Sequence, residues 1–309
     1  MDIRTKMFRS ALLAVAGNRA VESLALKYGL RLGAAQFVAG ETLSEALDQA
    51  ARLNCRGIRV TLDYLGENVK RLEEAEMFRD EYIRLLHRIR ERKIDSNVSL
   101  KPTQMGLSID PQAAYGNIRQ IVAEAKALNN FVRIDMEDSP HTEETIRIVR
   151  ELRAEGLDNV GTVIQAYLYR SAEDVRRLTE EKINLRLVKG AYKEPETIAY
   201  PEMRQVNENF VRLIRYRLDS GVYTAIATHD DRVIDWTKRY VTERGIARDK
   251  FEFQMLYGIR MPLQEQLAKE GYGVRCYVPY GKMWYAYFVR RLAERPANAL
   301  FVLKNLFRG

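Results

Sequence analysis

Short runs rich in β-branched residues recur along the chain, separated by longer segments in which apolar residues return every three or four positions. The runs Ile58–Leu62, Val98–Lys101, Phe131–Asp135, Val160–Gln165, Asn184–Val188, Tyr223–Thr228, Phe251–Met255 and Gly273–Tyr277 read as strands. Segments between them, such as Asn68–Arg92 and Glu202–Asp219, carry the helical repeat together with many surface charges. Strand and helix in alternation predict βα units on a parallel sheet, and eight strands is the number that closes a (β/α)8 TIM barrel. Residues 1–50 read as two or more helices leading into the first strand. No linker, composition break or sequence repeat divides the chain, so residues 1–309 are expected to form one α/β barrel domain.

Local signals refine this outline. The start MDIRTKMFRS-ALLAVAG has the shape of a secretion leader, but its apolar stretch is short and runs into Asn18 and Arg19. Leu12, Val15 and Ala16 instead fit one face of an amphipathic helix, which is the expectation. Asp138-Ser139-Pro140 reads as a helix start, with Ser139 as N-cap and Pro140 in the first turn.

Polar residues stand where the strands are expected to end: Asp63, Lys101, Asp135 with Glu137, Gln165, Arg186 with Lys189, Thr228 with His229, Gln254, and Tyr277. In a parallel barrel these ends share one mouth, where enzymes of this architecture place their sites. Lys101 and Asp135 should meet across neighbouring strands as an ion pair. The pair is open to three readings: a rim salt bridge, a substrate contact, or a desolvated Schiff-base lysine. Lys189 is a second lysine to which the Schiff-base reading applies. NLRLVKGAYKEP at 184–195 offers two cations, Arg186 and Lys189, beside Gly190 and Ala191, where backbone can approach an anionic ligand. It is neither a P-loop nor a G-x-G-x-x-G motif. YAYFVRRLAERP at 285–296 reads as a helix ended near Pro296. Arg290 and Glu294 are spaced to pair on an exposed face, or to form a guanidinium clamp for a carboxylate, oriented by Glu294 and walled by Tyr287. Its place in the eighth βα unit favours the clamp.

Composition narrows the classes. A chain of 309 residues with 46% hydrophobic and 30% charged residues is globular, and no apolar run approaches the roughly 18 residues of a membrane span. The net charge of +8 comes from 50 Lys and Arg interleaved with 42 Asp and Glu. Without a basic tract or an RNA-binding motif, no nucleic-acid partner is expected. Diffuse basicity does suit an anionic substrate, cofactor or lipid surface. Cys55 and Cys276 form no C-x-x-C pair and no disulfide framework, which points to a reducing cytoplasm, with peripheral contact at the inner face of the membrane left open. His87, His141 and His229 are too scattered for a metal site. The first two read as surface helix residues, and His229 as a residue of the mouth.

RIDMED at 133–138, VIQAYLYR at 163–170, LVKGAY at 187–192, IATHD at 226–230, FEFQMLYG at 251–258, CYVPYG at 276–281 and YFVRRLAERP at 287–296 resemble, in order, the motifs of bacterial monofunctional proline dehydrogenases. The likeness runs from about residue 58 to the C-terminus. It implies a distorted (β/α)8 barrel with N-terminal helices and a C-terminal helix over the active site, binding FAD at the strand ends. The implied reaction oxidises L-proline to Δ1-pyrroline-5-carboxylate and passes electrons to a quinone. Because the chain has no room for an aldehyde dehydrogenase domain, the product would go to a separate pyrroline-5-carboxylate dehydrogenase.

By position in these motifs, Met136, Gln165, Arg186, Val188, Lys189, Gly190, Ala191, Thr228 and His229 look like the FAD-binding set. Lys101, Arg290 and Arg291 match the groups that hold the proline carboxylate, and Leu256, Tyr277 and Tyr287 those that shape the ring pocket. Asp135 and Arg186 match the positions regarded as catalytic, with Glu294 in support. Pro102 departs from the family pattern, and its restraint on the preceding backbone puts the presentation of Lys101 in question.

Overall fold

The computed structural model describes residues 34–294, the side chains of the last two excepted. The helix expected through Leu12–Ala16 and most of the N-terminal lead-in lie outside the described residues.

Eight parallel strands close into a barrel in sequence order: β1 Arg59–Tyr64, β2 Ser96–Leu100, β3 Val132–Ile134, β4 Val160–Gln165, β5 Asn184–Val188, β6 Thr224–Ala227, β7 Phe251–Leu256 and β8 Val274–Tyr280. Closure is made by β1 on β8, with Val60 opposite Cys276 and Tyr64 opposite Tyr280. The outer ring is α1 Leu43–Asn54, α2 Leu72–Glu91, α3 Pro111–Ala127, α4 Thr142–Ala154, α5 Ser171–Glu180, α6 Met203–Asp219, α7 Asp231–Arg244 and α8 Met261–Lys269, followed by α9 Trp284–Glu294. α1, the described part of the expected lead-in, starts on a capping box. The Thr42 hydroxyl accepts from the Glu45 amide at 3.3 Å, and the Glu45 carboxylate accepts from the Thr42 amide at 2.9 Å.

The strands divide their side chains by the two-residue period of β structure. One set, including Val60, Leu62, Val98, Leu100, Val132 and Ile134, is buried and joins the core under the helices. The other set meets across the lumen and is largely polar, with Val163, Val188, Ala225 and Ala227 among its apolar members. Thr61 donates to Asn97 at 2.5 Å, Arg133 to the Asn184 side chain at 2.5 Å, and Arg275 to Glu252 at 2.7 Å. Barrel interiors are more often layers of Val, Ile and Leu. Here the lumen is a hydrogen-bonded network, with the apolar stabilisation coming from the sheet–helix layer.

Three sequence expectations shift. Tyr277 is not the end of the eighth strand, because the pairing with β1 carries β8 on to Tyr280. Ser139 does not cap a helix: residues 139–141 form a single 3-10 turn, and both the amide and the hydroxyl of Ser139 donate to Glu194, at 2.7 and 2.8 Å. α4 begins after that turn, at Thr142. Pro102 opens a 3-10 turn over Pro102–Met105 and leaves Lys101 extended, at φ −104° and ψ 137°, as the ring of a following proline requires.

α9 lies across one side of the barrel mouth. Trp284, Tyr287, Phe288 and Leu292 pack with Phe37, Val38 and Leu65 in a small separate core. The Trp284 indole donates to Glu41 at 2.9 Å. No described helix is long and apolar enough to cross a membrane. Cys55 and Cys276 are both free thiols.

Candidate active site

The C-terminal ends of the strands open into a cavity of about 1190 Å³. Its floor is built on Asp135, the first residue after β3, whose carboxylate is reached by four side chains from three other strands or their ends, β2, β5 and β8. Oδ1 accepts from the Ser99 hydroxyl at 2.6 Å and from Arg186 Nη1 at 2.7 Å. Oδ2 accepts from the Tyr277 hydroxyl at 2.8 Å and lies 3.8 Å from Lys101 Nζ. Lys101 Nζ stands equally far, 3.8 Å, from Asp63 Oδ2, so the lysine is shared between two carboxylates.

The two carboxylates titrate in opposite directions. Burial pushes Asp135 up, but Arg186 and Lys101 together with the two hydroxyl donors outweigh it and hold the group below its ordinary value. Asp63 is also buried and has Lys101 beside it, yet burial wins and its pKa is raised. Burial disfavours the charge of Lys101, but Asp63 and Asp135 outweigh it and raise its pKa. The lysine is therefore a cation at neutral pH, the wrong state for the Schiff-base nucleophile that its sequence position left open.

Arg186 spans the floor. Nε donates to Gln254 at 2.5 Å, Nη1 to Asp135, and the guanidinium carbon lies 5.2 Å from the centre of the Tyr277 ring. Nη2 is buried without a hydrogen-bond partner among the described residues. A buried guanidinium nitrogen left unpaired is costly unless a bound group accepts from it.

One wall is the segment after β5. Gly190 has φ +118°, and a Cβ there would stand 2.2 Å from the Tyr167 ring, so only glycine fits this close passage. Lys189 reaches Asp230 at 2.7 Å and is an ion-paired lysine, as Arg186 and Lys101 are ion-paired cations. Met136, Gln165, Val188, Ala191, Thr228 and His229 also face the cavity. Gln165 is fixed by donating to the Glu137 carbonyl at 2.8 Å. His229 Nε2 accepts from the Leu256 amide at 3.0 Å, which places the ring proton of the neutral imidazole on Nδ1.

The opposite wall is α9, with Tyr287, Arg290 and Arg291, alongside Leu256 and Tyr277 from β7 and β8. The Arg291 guanidinium lies 5.1 Å from the centre of the Tyr287 ring. Arg290 donates to Glu67 at 2.7 Å. The glutamate that the structure brings to Arg290 is thus Glu67, from the loop after β1; the side chain of Glu294 lies outside the described residues.

All the residues singled out from sequence for cofactor and substrate, Glu294 apart, line this one cavity. Several others do so without having been singled out. Tyr192 sits inside the motif LVKGAY and could have been read there. Glu67 and Asp230 are loop residues whose partners are brought to them only by the closed barrel. His141, read as a surface helix residue, lies at the cavity rim, bonded to Asp138 and 3.1 Å from the Ser108 hydroxyl. His87 is at the surface, paired with Glu124 at 3.0 Å. Among the described residues no group of His, Cys, Asp and Glu is arranged to hold a metal.

Comparison with known proteins gives a consistent picture. The family model described as proline dehydrogenase matches residues 46–304. The chain is 48% identical to proline dehydrogenase 1 of Bacillus subtilis subsp. natto, over 98% of this chain and all of that one. It is 44% identical to proline dehydrogenase of Deinococcus radiodurans, over 98% and 99% of the two chains. Among solved structures it is similar to proline utilization A from Bdellovibrio bacteriovorus inactivated by N-propargylglycine, with TM-score 0.81 and 27% identity. That match covers 88% of this chain but only 34% of the other, so the chain spans about a third of that protein.

Proposed function

The chain belongs to the proline dehydrogenase family, whose reaction is the oxidation of proline, and we propose that it carries out this reaction on L-proline with bound FAD, passing the electrons to a quinone and the product, Δ1-pyrroline-5-carboxylate, to a separate dehydrogenase. The observation that carries the reading is the linked quartet of buried Asp135 and Arg186 with half-buried Lys101 and Tyr277, in one cavity with Arg290 and Arg291.

The cavity suits FAD. At about 1190 Å³ it exceeds the roughly 300–1,000 Å³ of most small-molecule pockets, leaving room for more than an amino acid. The unpaired Arg186 Nη2 needs an acceptor, and the bare backbone at Gly190 admits a close approach. Arg186, Gln165, Thr228, His229 and the segment Val188–Ala191 would hold the cofactor, with Met136 against it. When bound, FAD supplies the two-electron oxidation that no side chain of the protein can perform.

The remaining work falls to the chain. Arg290, Arg291 and Lys101 would take the proline carboxylate, two arginines as planar donors and the lysine as a point charge. Tyr277, Tyr287 and Leu256 would enclose the ring, so that one ring carbon is presented in one orientation and little freedom remains to be lost on reaction. α9, along one side of the mouth, would shield this pocket from water.

Asp135 serves as an orienter. Each of its oxygens already accepts a hydrogen bond, and its pKa is held low, so it is a poor base but a strong anchor for Lys101, Tyr277 and Arg186. Arg186, a cation against the cofactor site, would stabilise negative charge that develops there.

An absorption spectrum of the purified protein tests the reading directly. A flavin band that bleaches on anaerobic addition of L-proline and returns on addition of a short-chain quinone is the expected result. A colourless protein, or one in which borohydride traps a lysine with a carbonyl substrate, would sink it.

A further inference from the structure

The floor of the active cavity is tied to a carboxylate deep in the barrel. Glu252 and Gln254 are two residues apart on β7, so their side chains share the inward face. Glu252 is 2% exposed, Gln254 4% and Arg186 5%. Glu252 Oε1 accepts from Gln254 Nε2 at 2.6 Å and from Arg275 Nε at 2.7 Å. Arg59 Nη1 lies 3.6 Å from Glu252 Oε2. Gln254 Oε1 in turn accepts from Arg186 Nε at 2.5 Å.

The direction of this chain follows from what each group can do. An ionised carboxylate only accepts, so the Gln254 nitrogen must face Glu252. A guanidinium only donates, so the Gln254 oxygen is left for Arg186. Were the amide reversed, two donors would face each other at one end and two acceptors at the other. Burial raises the pKa of Glu252, but Arg275 and Arg59 outweigh it and keep the group ionised.

On this geometry, and resting on the reading of Arg186 as a group against the cofactor, we propose that Glu252 is a positioning residue: acting through the Gln254 amide, it fixes the plane of the Arg186 guanidinium and so aims the unpaired Nη2 at the FAD site. Two of the three Arg186 nitrogens are clamped, Nε by the Gln254 relay and Nη1 by Asp135. Loss of the relay leaves the guanidinium free to turn about the Asp135 contact. The carboxylate clamp of Arg290 and Arg291 lies on a different element and is untouched.

The test compares Glu252→Gln, Gln254→Met and the double variant as FAD-loaded, full-length protein. Gln254→Met keeps size and charge, breaks the relay at its middle, and leaves the Glu252–Arg275 pair in place. Each single variant should lower kcat by about tenfold, as expected of a misaimed catalytic group, with KM for proline little changed. The flavin midpoint potential should shift to more negative values in both, because the cation stabilises the reduced, more anionic ring. Acting through one amide, the two changes should not add, and Glu252→Gln should have no further effect in the Gln254→Met background.

Equal losses from Glu252→Gln in both backgrounds, or an unmoved potential, would overturn the positioning role and leave Glu252 a structural carboxylate. If Glu252→Gln does not fold, kcat and potential of Gln254→Met decide alone. An unaltered chain that takes up no FAD or leaves proline unoxidised overturns the functional reading and this inference with it, an outcome distinct from active wild type with unaffected variants.

Discussion

The Tyr277 hydroxyl donates a 2.8 Å hydrogen bond to Oδ2 of Asp135 across the lumen of the barrel, from β8 to the end of β3. The tyrosine therefore has two separable functions, a ring that walls the pocket and a hydroxyl that helps hold the carboxylate.

Substitutions at Tyr277 should separate them. Tyr277→Phe keeps the wall and should lower kcat for proline by severalfold, the effect of one lost hydrogen bond of about 1 kcal/mol. The ratio of kcat/KM for proline over 4-hydroxyproline should stay near its parental value. Tyr277→Ser removes the wall and should narrow that ratio by making room for the extra hydroxyl. If both substrates fall together in Tyr277→Ser, the ring supports the barrel rather than the substrate.

Arg291→Met should raise KM for proline by roughly ten- to a hundredfold while the protein still folds, since a charged hydrogen bond to a desolvated carboxylate is worth about 1.5–3 kcal/mol. Arg290→Met should act in the same direction. Arg290 is already paired with Glu67, however, so its loss also strands that carboxylate, and Glu67→Gln should alter proline KM through Arg290 alone. Steady-state kinetics on the three variants with FAD content matched will show whether KM carries the effect; unchanged KM in both arginine variants removes the clamp.

Asp135→Asn should destabilise the fold as well as the reaction. It removes the only anion that Arg186 contacts as an ion pair among the described residues and one of the two beside Lys101, leaving buried cations poorly matched. Breaking a buried pair costs about 3–5 kcal/mol. Denaturant unfolding of the variant should show a loss of that order, and a loss below 1 kcal/mol would mean that Arg186 and Lys101 find other acceptors.

The opposite titration of the two aspartates predicts opposite pH profiles. Asp135 has a lowered folded pKa, so its contribution is complete above the ordinary carboxylate value of about 3.9 and is lost as pH falls below it. Asp63 has a raised folded pKa, so stability falls as pH climbs from about 3.9 through that higher value. Thermal unfolding against pH should therefore show a smaller acid-side drop in Asp135→Asn and a smaller decline above about pH 4 in Asp63→Asn. Lys101, raised by both, contributes throughout this range and is lost only above its unfolded pKa of about 10.4.

The sequence by itself determined the eight βα units, because the switch between a two-residue and a 3.6-residue apolar period is a local property of the chain. Strands β4 and β5 are bounded as their sequence pattern predicts, and the others differ by a few residues at their ends. The sequence also marked the cavity-lining set, through polar residues that interrupt apolar strands at their mouth-facing ends and through motifs shared with a known family.

What it left undecided is everything that depends on closing the sheet. The β1–β8 ladder, which carries Tyr277 into the interior of a strand, joins residues more than two hundred positions apart, as does the pairing of Glu67 with Arg290. Whether Lys101 is a cation or a nucleophile turned on its lying between Asp63 and Asp135, a matter of dielectric and distance that residue type does not encode. The sharing of a polar lumen by Glu252, Gln254, Arg186, Asp135 and Tyr277 has the same origin: the two-residue period says which residues share a face, but only the curvature of the barrel decides which faces meet.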